Sequence, residues 1–153
     1  VQTCALPILD SKNRTRATGV MHALPAVTAF SGNNIAVRLF KYNLTTFDLV
    51  DSITFYCNLT AANKKGVMTF EFGYSAKDLY RIKDMSPQSW HNIWRQMHDP
   101  SSPAWKGFAS LFATNVGRVE CGSQVDKSCH KYHICSMGNM DYENYSKCLN
   151  NPL

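Results

Sequence analysis

Four cysteines crowd the end of this chain and constrain it more than any other feature: Cys121, Cys129, Cys135 and Cys148 all fall after residue 120 of 153. Cysteines clustered in so short a stretch read as a local disulfide framework, which persists only in an oxidising compartment. Four cysteines permit three pairings, and spacing does not choose among them. Sequons point the same way. Asn13, Asn43, Asn58 and Asn144 each stand two residues before Thr or Ser with no intervening proline, the pattern of a glycan acceptor. One sequon arises readily by chance, but several beside clustered cysteines favour the secretory route.

Composition then limits the class. With 44% hydrophobic and 18% charged residues, the chain has the material for a packed core. No run approaches the roughly 18 apolar residues that cross a bilayer. The net charge of +5 is spread along the sequence, without a basic stripe interleaved with aromatics, so nucleic acid is not an expected partner. The string VQTCALPI at residues 1–8 resembles one reading frame of a sequencing adapter. It is set aside from the fold expectations with Cys4, and the natural sequence is expected to run from about Leu9 with more upstream.

The front half has strand character. Residues 19–30, broken by Pro25, predict an irregular edge strand; residues 31–34 a turn; residues 35–42 a strand; and residues 43–46 a polar turn. Residues 50–60 predict the clearest strand, with Ile53, Phe55, Cys57 and Leu59 on a core face and Asn58 pointing outward. Cys57 is then a buried free thiol. The back half switches to helical spacing. Ser86 caps a helix that starts at Pro87 and carries Trp90, Ile93, Trp94 and Met97 on one stripe. Ser102 caps a second helix with Trp105, Phe108, Ala109 and Phe112, stopped near residues 115–117. Both stripes are expected to face the core rather than lipid. The cysteine tail predicts two short bridged helices.

Candidate chemistry is thin. Cys129, His130, His133 and Cys135 have the donor types of a zinc site, but not its usual knuckle spacing. Acidic pairs such as Glu71 with Asp78, or Asp141 with Glu143, read as solvated charges. His22, in an apolar stretch, reads as a core histidine. No nucleophile elbow, phosphate loop or zinc-protease helix is present.

Family resemblance adds what spacing does not. The stretch ALPAVTAFSGNNIAVRLFKY (residues 23–42), the strand end FYCNLTAANKKG (residues 55–66) and the segment YRIKDMSPQSWHN (residues 80–92) resemble acid sphingomyelinases and their phosphodiesterase-like relatives. The cysteine tail resembles theirs in order. The resemblance implies an α+β fold: late antiparallel strands of a metallophosphoesterase sandwich, then a disulfide-stabilised C-terminal helical subdomain. It divides the chain into residues 9–66, the end of a calcineurin-like sheet, and residues 67–153, the helical domain. It implies a hydrolase of sphingomyelin or a related phosphodiester, secreted or lysosomal, meeting phospholipid or sphingolipid at a membrane surface.

The two zinc ions of such enzymes are held by elements that precede this region, so no catalytic or metal residue maps onto this chain. Phe30 matches an aromatic near the mouth of the cleft. The resemblance implies the pairing Cys121 with Cys129 and Cys135 with Cys148 and a glycan at Asn58, and the sequons add Asn43 and Asn144 as expected acceptors. In the chain-entropy account each such short loop stabilises by about 2–3 kcal/mol. Two departures stand out: the first cysteine loop is longer than the family pattern, and Cys57 replaces an apolar residue. The expectation is thus a fragment of a zinc-dependent phosphodiesterase, inactive by itself. The alternative, from a different class, is a standalone secreted module that binds lipid or protein without catalysis.

Overall fold

The computed structural model describes residues 5–29, 33–112 and 127–152. Its strands are β1 (Ala5–Leu9), β2 (Ala17–His22), β3 (Ile35–Tyr42), β4 (Leu49–Cys57) and β5 (Phe70–Ser75). Its helices are α1 (Leu59–Lys65), α2 (Ala76–Tyr80), α3 (Pro87–Gln96), α4 (Pro103–Leu111), α5 (Lys127–Gly138) and α6 (Tyr142–Asn150). Among the described residues the strands form two antiparallel sheets, β1-β2 and β3-β4-β5. The fold is therefore mixed, with small antiparallel sheets beside helices. Residues set aside at the sequence level take part in it: β1 pairs with β2 from Ala5–His22 to Leu9–Ala17, and Pro7 is among the most deeply buried side chains.

The larger core is helical. Trp90, Ile93 and Met97 of the α3 stripe meet Trp105, Phe108 and Ala109 of α4 and Ile134 and Met137 of α5, and the β1–β2 hairpin lies against α3. Both aromatic stripes thus face inward, as their spacing predicts. Each helix starts where the sequence signals it. The hydroxyls of Ser86 and Ser102 accept from the amides of Ser89 and Trp105, and each cap precedes a proline. The expected stop at residues 115–117 lies outside the described residues.

The strands depart from expectation in three ways. First, β4 ends at Cys57 and does not run to residue 60. Asn58 turns the chain, its side-chain oxygen accepting from the Ala61 amide as the cap of α1, which Gly66 closes with φ +68°. Asn58 is accordingly a half-buried cap, not an outward-facing strand residue. Second, the buried face of β4 is the polar one: Ser52 and Thr54 are buried, while Ile53 and Phe55 are half-exposed. Cys57 is fully buried and free, packed with Ile35 and Ala62 beneath α1. Third, the early edge strand expected over residues 19–30 is β2 alone, since no strand continues through residues 23–29.

The division expected at residue 66 does not coincide with a break in the sheet, because β5 lies beyond it and supplies the third strand. A bulge between Thr54 and Phe55 shifts the β4–β5 register at Gly73. A Cβ on Gly73 would stand 2.9 Å from the Thr54 carbonyl oxygen, so the bulge needs glycine. Beyond the bulge, Phe72 lies opposite Phe55. Together with Val37, Leu39 and Ile53 these side chains make an apolar sheet face that α1 covers only at the Cys57 end, leaving Leu39 58% and Phe72 61% exposed.

Candidate functional site: the β2–β3 crossover

The one substrate-lining candidate, Phe30, lies outside the described residues, but the backbone on either side of it is described. Segment 23–29 leaves β2 after His22 and returns to β3 at Ile35. Arg38, in the middle of β3, holds that crossover. Its Nη1 donates to the Ala23 carbonyl at 2.9 Å, its Nε to Thr54 Oγ1 at 3.0 Å and its Nη2 to the Tyr74 hydroxyl at 2.7 Å. Register explains the convergence, because Arg38, Thr54 and Tyr74 are direct neighbours across three strands and share one face. A second tie, from the Ala36 amide to the Ala26 carbonyl at 3.1 Å, fixes the crossover further along.

Electrostatics suit a positioning device better than an acid–base centre. The half-buried guanidinium directs donors to these three neutral oxygens. Burial, and then the nearby Arg38 charge, hold the His22 imidazole below its usual range. The His22 ring sits edge-on to Phe40 at 5.4 Å and to Trp90 at 5.9 Å, a core histidine as expected. Ser75 donates to Asp51 Oδ2 at 2.6 Å, a contact that resembles a nucleophile beside a base. However, Ser75 caps α2, and Asp51 also accepts from the Lys77 and Ser52 amides, so the pair organises a chain reversal. The crossover presents Leu24 and Val27 to the surface, 59% and 68% exposed.

The other candidates occupy separate places. Cys135 and Cys148 are bonded, joining α5 to α6 as the family pairing implies. Cys129 is also disulfide-bonded, and its expected partner, Cys121, lies outside the described residues. With both of those sulfurs oxidised and His130 Nε2 bonded to the Met97 carbonyl at 2.8 Å, this cluster does not fit a zinc ion. Among the described residues no group of three His, Cys, Asp or Glu side chains gathers as metal ligands. The acidic pairs also disperse: Asp141 caps α6, Glu143 pairs with Lys147, and Glu71 meets the Tyr56 hydroxyl.

Asn43 is exposed in the β3–β4 turn, where its side-chain oxygen accepts from the Thr45 and Thr46 amides. Asn144 lies in the first turn of α6, with its Nδ2 donating to Asp141 Oδ2 at 2.8 Å. Sequence reasoning did not find Arg38 or Tyr74. The available signal was a single arginine inside the apolar run IAVRLF.

Comparison with known proteins gives this geometry a context. A family described as the acid sphingomyelin phosphodiesterase C-terminal region matches residues 10–153. Sphingomyelin phosphodiesterase A of Dictyostelium discoideum is 28% identical over 91% of this chain and 23% of its own length. The cyclic GMP-AMP phosphodiesterases of Rattus norvegicus and Homo sapiens are 30% and 32% identical, over 97% and 95% of this chain. Those matches take up 34% and 32% of the two relatives. The chain therefore spans between about a quarter and a third of the length of the curated relatives it matches.

Proposed function

Since the chain belongs to the acid sphingomyelin phosphodiesterase family through its C-terminal region, we propose that it completes a secreted or lysosomal phosphodiesterase whose catalytic residues precede it. The observation that carries this is the match over residues 10–153 to a region defined as the C-terminal part of such enzymes. The relatives' names cover sphingomyelin and cyclic GMP-AMP, so the reaction class is hydrolysis of a phosphodiester. The substrate proposed here is sphingomyelin or a related phosphodiester. The two zinc ions of such an enzyme would be held upstream, and among the described residues no metal-ligand group gathers.

The exposed sheet face supports the same reading. Val37, Leu39, Ile53, Phe55 and Phe72 form an apolar surface of the kind that a second sheet covers in a sandwich. The upstream part of a metallophosphoesterase would supply that sheet, with β3, β4 and β5 as its late strands. Arg38 would then fix the crossover that carries Phe30 to the edge of the cleft. Alone, the chain would be inactive. Glycans at Asn43, Asn58 and Asn144 fit the secretory route. At Asn58 the cap uses the side-chain oxygen, which leaves the nitrogen for a sugar. For a lipid-binding module acting through its tryptophans, Trp90 and Trp105 are buried and Trp94 alone is half-exposed.

The test is to recover the coding sequence upstream of Leu9. An open frame that continues into His-x-His and Asp-x-His elements is expected. A signal peptide and start codon within a few dozen codons would overturn the enzyme reading.

A further inference from the structure

A second feature owes nothing to the phosphodiesterase reading and goes beyond it. The turn between β1 and β2 and one flank of α3 enclose a cleft of about 460 Å³, lined by Arg14, Thr15, His91, Trp94, Arg95 and His98. Among the described residues, two guanidinium groups, two imidazoles, an indole and a hydroxyl line it, and no carboxylate does.

The lining is fixed in place. Arg14 Nη2 donates to the Gly138 carbonyl at 3.1 Å and to Asn139 Oδ1 at 2.7 Å, both neutral acceptors. Among the described residues neither Arg14 nor Arg95 is in a salt bridge. Trp94 donates through Nε1 to the Ile134 carbonyl at 3.0 Å. The His91 ring stacks on that indole at 5.6 Å, and the His98 ring stands edge-on to it at 4.6 Å. One nitrogen of each imidazole is tied down, His91 Nδ1 by Gln88 and His98 Nδ1 by the Trp94 carbonyl. Among the described residues no hydrogen bond engages Nε2 of either ring, and both side chains line the cleft.

We propose that this cleft binds an oxyanion of the phosphate class, with Arg14 and Arg95 supplying the charge and Trp94 a rigid wall. Paired guanidinium groups match the fork geometry of phosphate oxygens, and no described residue of the lining carries a negative charge. A free phosphate and a phosphomonoester headgroup of a lipid present the same group.

Binding should tighten in acid. Burial, then Arg95 and His98, hold His91 below the usual imidazole range. An arriving anion offsets the Arg95 and His98 part of that shift, not the burial part, and so favours the protonated ring. The groups facing His91 are Arg95 and His98 from its own side and Arg14 from the β1–β2 turn, and Asp141 of the α6 cap is near enough to sense Arg14. His22 of β2 and His130 of α5 are engaged elsewhere, with Trp90 and the Met97 carbonyl.

The experiment uses the full-length parent protein and its R14Q/R95Q double variant. Both side chains are exposed, and circular dichroism checks that the fold is kept. Inorganic phosphate is titrated calorimetrically at acidic and neutral pH, and phosphatidylcholine vesicles with and without phosphatidic acid are tested by co-sedimentation. Phosphate also binds at a phosphodiesterase centre, so the quantity read is the difference between parent and variant. Binding about tenfold weaker in the variant is expected, with a larger difference in acid. A loss with free phosphate supports the proposal with a soluble ligand, and a loss with the vesicles alone supports it with a headgroup. Equal binding by both proteins in both arms overturns it.

Discussion

Gly138, the last residue of α5, lies against the indole of Trp94 so closely that a Cβ there would stand 2.2 Å from Cζ2. The contact closes α5 onto α3, and Trp94 Nε1 ties the same two helices together through the Ile134 carbonyl. Gly138→Ala must push the helices apart, at a cost of about 1–3 kcal/mol for an overpacked contact. Urea denaturation should show the loss, and Trp94→Leu in the same chain should restore part of it. An alanine variant as stable as the parent would refute the close approach.

The Cys135–Cys148 bond closes a loop of sequence separation 13 between α5 and α6. Its removal by Cys148→Ser, with Cys135→Ser to avoid a stray thiol, should cost about 3 kcal/mol in the chain-entropy account. Frayed α6 amides in hydrogen exchange are the expected local sign. Protection equal to that of the parent would mean that packing alone holds α6.

His22 and His91 both have folded-state pKa values below the ordinary imidazole value. The unfolded chain therefore binds the proton more readily. Their contribution to stability is present above about pH 6.5 and shrinks as pH falls below it. Chemical denaturation at pH 7 and pH 5 should show this decline. His22→Phe should flatten part of it, and Arg38→Met should raise the His22 pKa in an NMR titration. A His22 titration unmoved by Arg38→Met would remove the charge contribution.

Asp84 lies just before α3 and accepts from the Ser86 amide at 3.0 Å and from Ser89 Oγ at 2.7 Å. The Ser86 hydroxyl first, then the Ser89 hydroxyl and the Ser86 amide, hold its carboxyl at about 2. Its stabilising effect is present above the ordinary carboxylate value and is lost as pH falls through about 2. Asp84→Ala should lower the melting temperature at neutral pH by a few degrees and change little in strong acid. Equal losses at both pH values would show that the side chain acts through packing.

The exposed apolar face of β3, β4 and β5 should make the isolated chain associate. Leu39→Lys with Phe72→Lys should raise the monomer fraction in sedimentation velocity, since both side chains are already exposed. A parent chain that is monomeric with a cooperative thermal transition would contradict this.

Much of the helical half was legible because capping serines, prolines and aromatic spacing all agreed at residues 86–97 and 102–112. The β3 strand and the free, buried Cys57 were legible for a similar reason. Three features were not. Alternation in residues 50–60 pointed the apolar face inward, but Arg38 supplies hydrogen bonds that make Thr54 a comfortable buried residue. The α1 helix was hidden because Asn58 in the motif NLT looks like the end of a strand until its side chain is seen to cap Ala61. Gly73 broke the period-two pattern of FEFGYS, so β5 left no clean signal. For the site, spacing found no chemistry, and the Arg38 fork depends on a three-strand register that no local window contains.

Cys57 remains as a fully buried free thiol beneath a helix of 7 residues. In an oxidising lumen a free thiol is an agent of covalent error, able to attack the disulfides of the tail. Here α1 is the stopper, pinned at one end by Asn58 and at the other by Gly66. Brief loosening of that stopper turns a reversible fluctuation into a permanent mispairing. In the secretory setting proposed above, the useful lifetime of the protein would follow how often these seven residues lift off one sulfur, and not global unfolding alone.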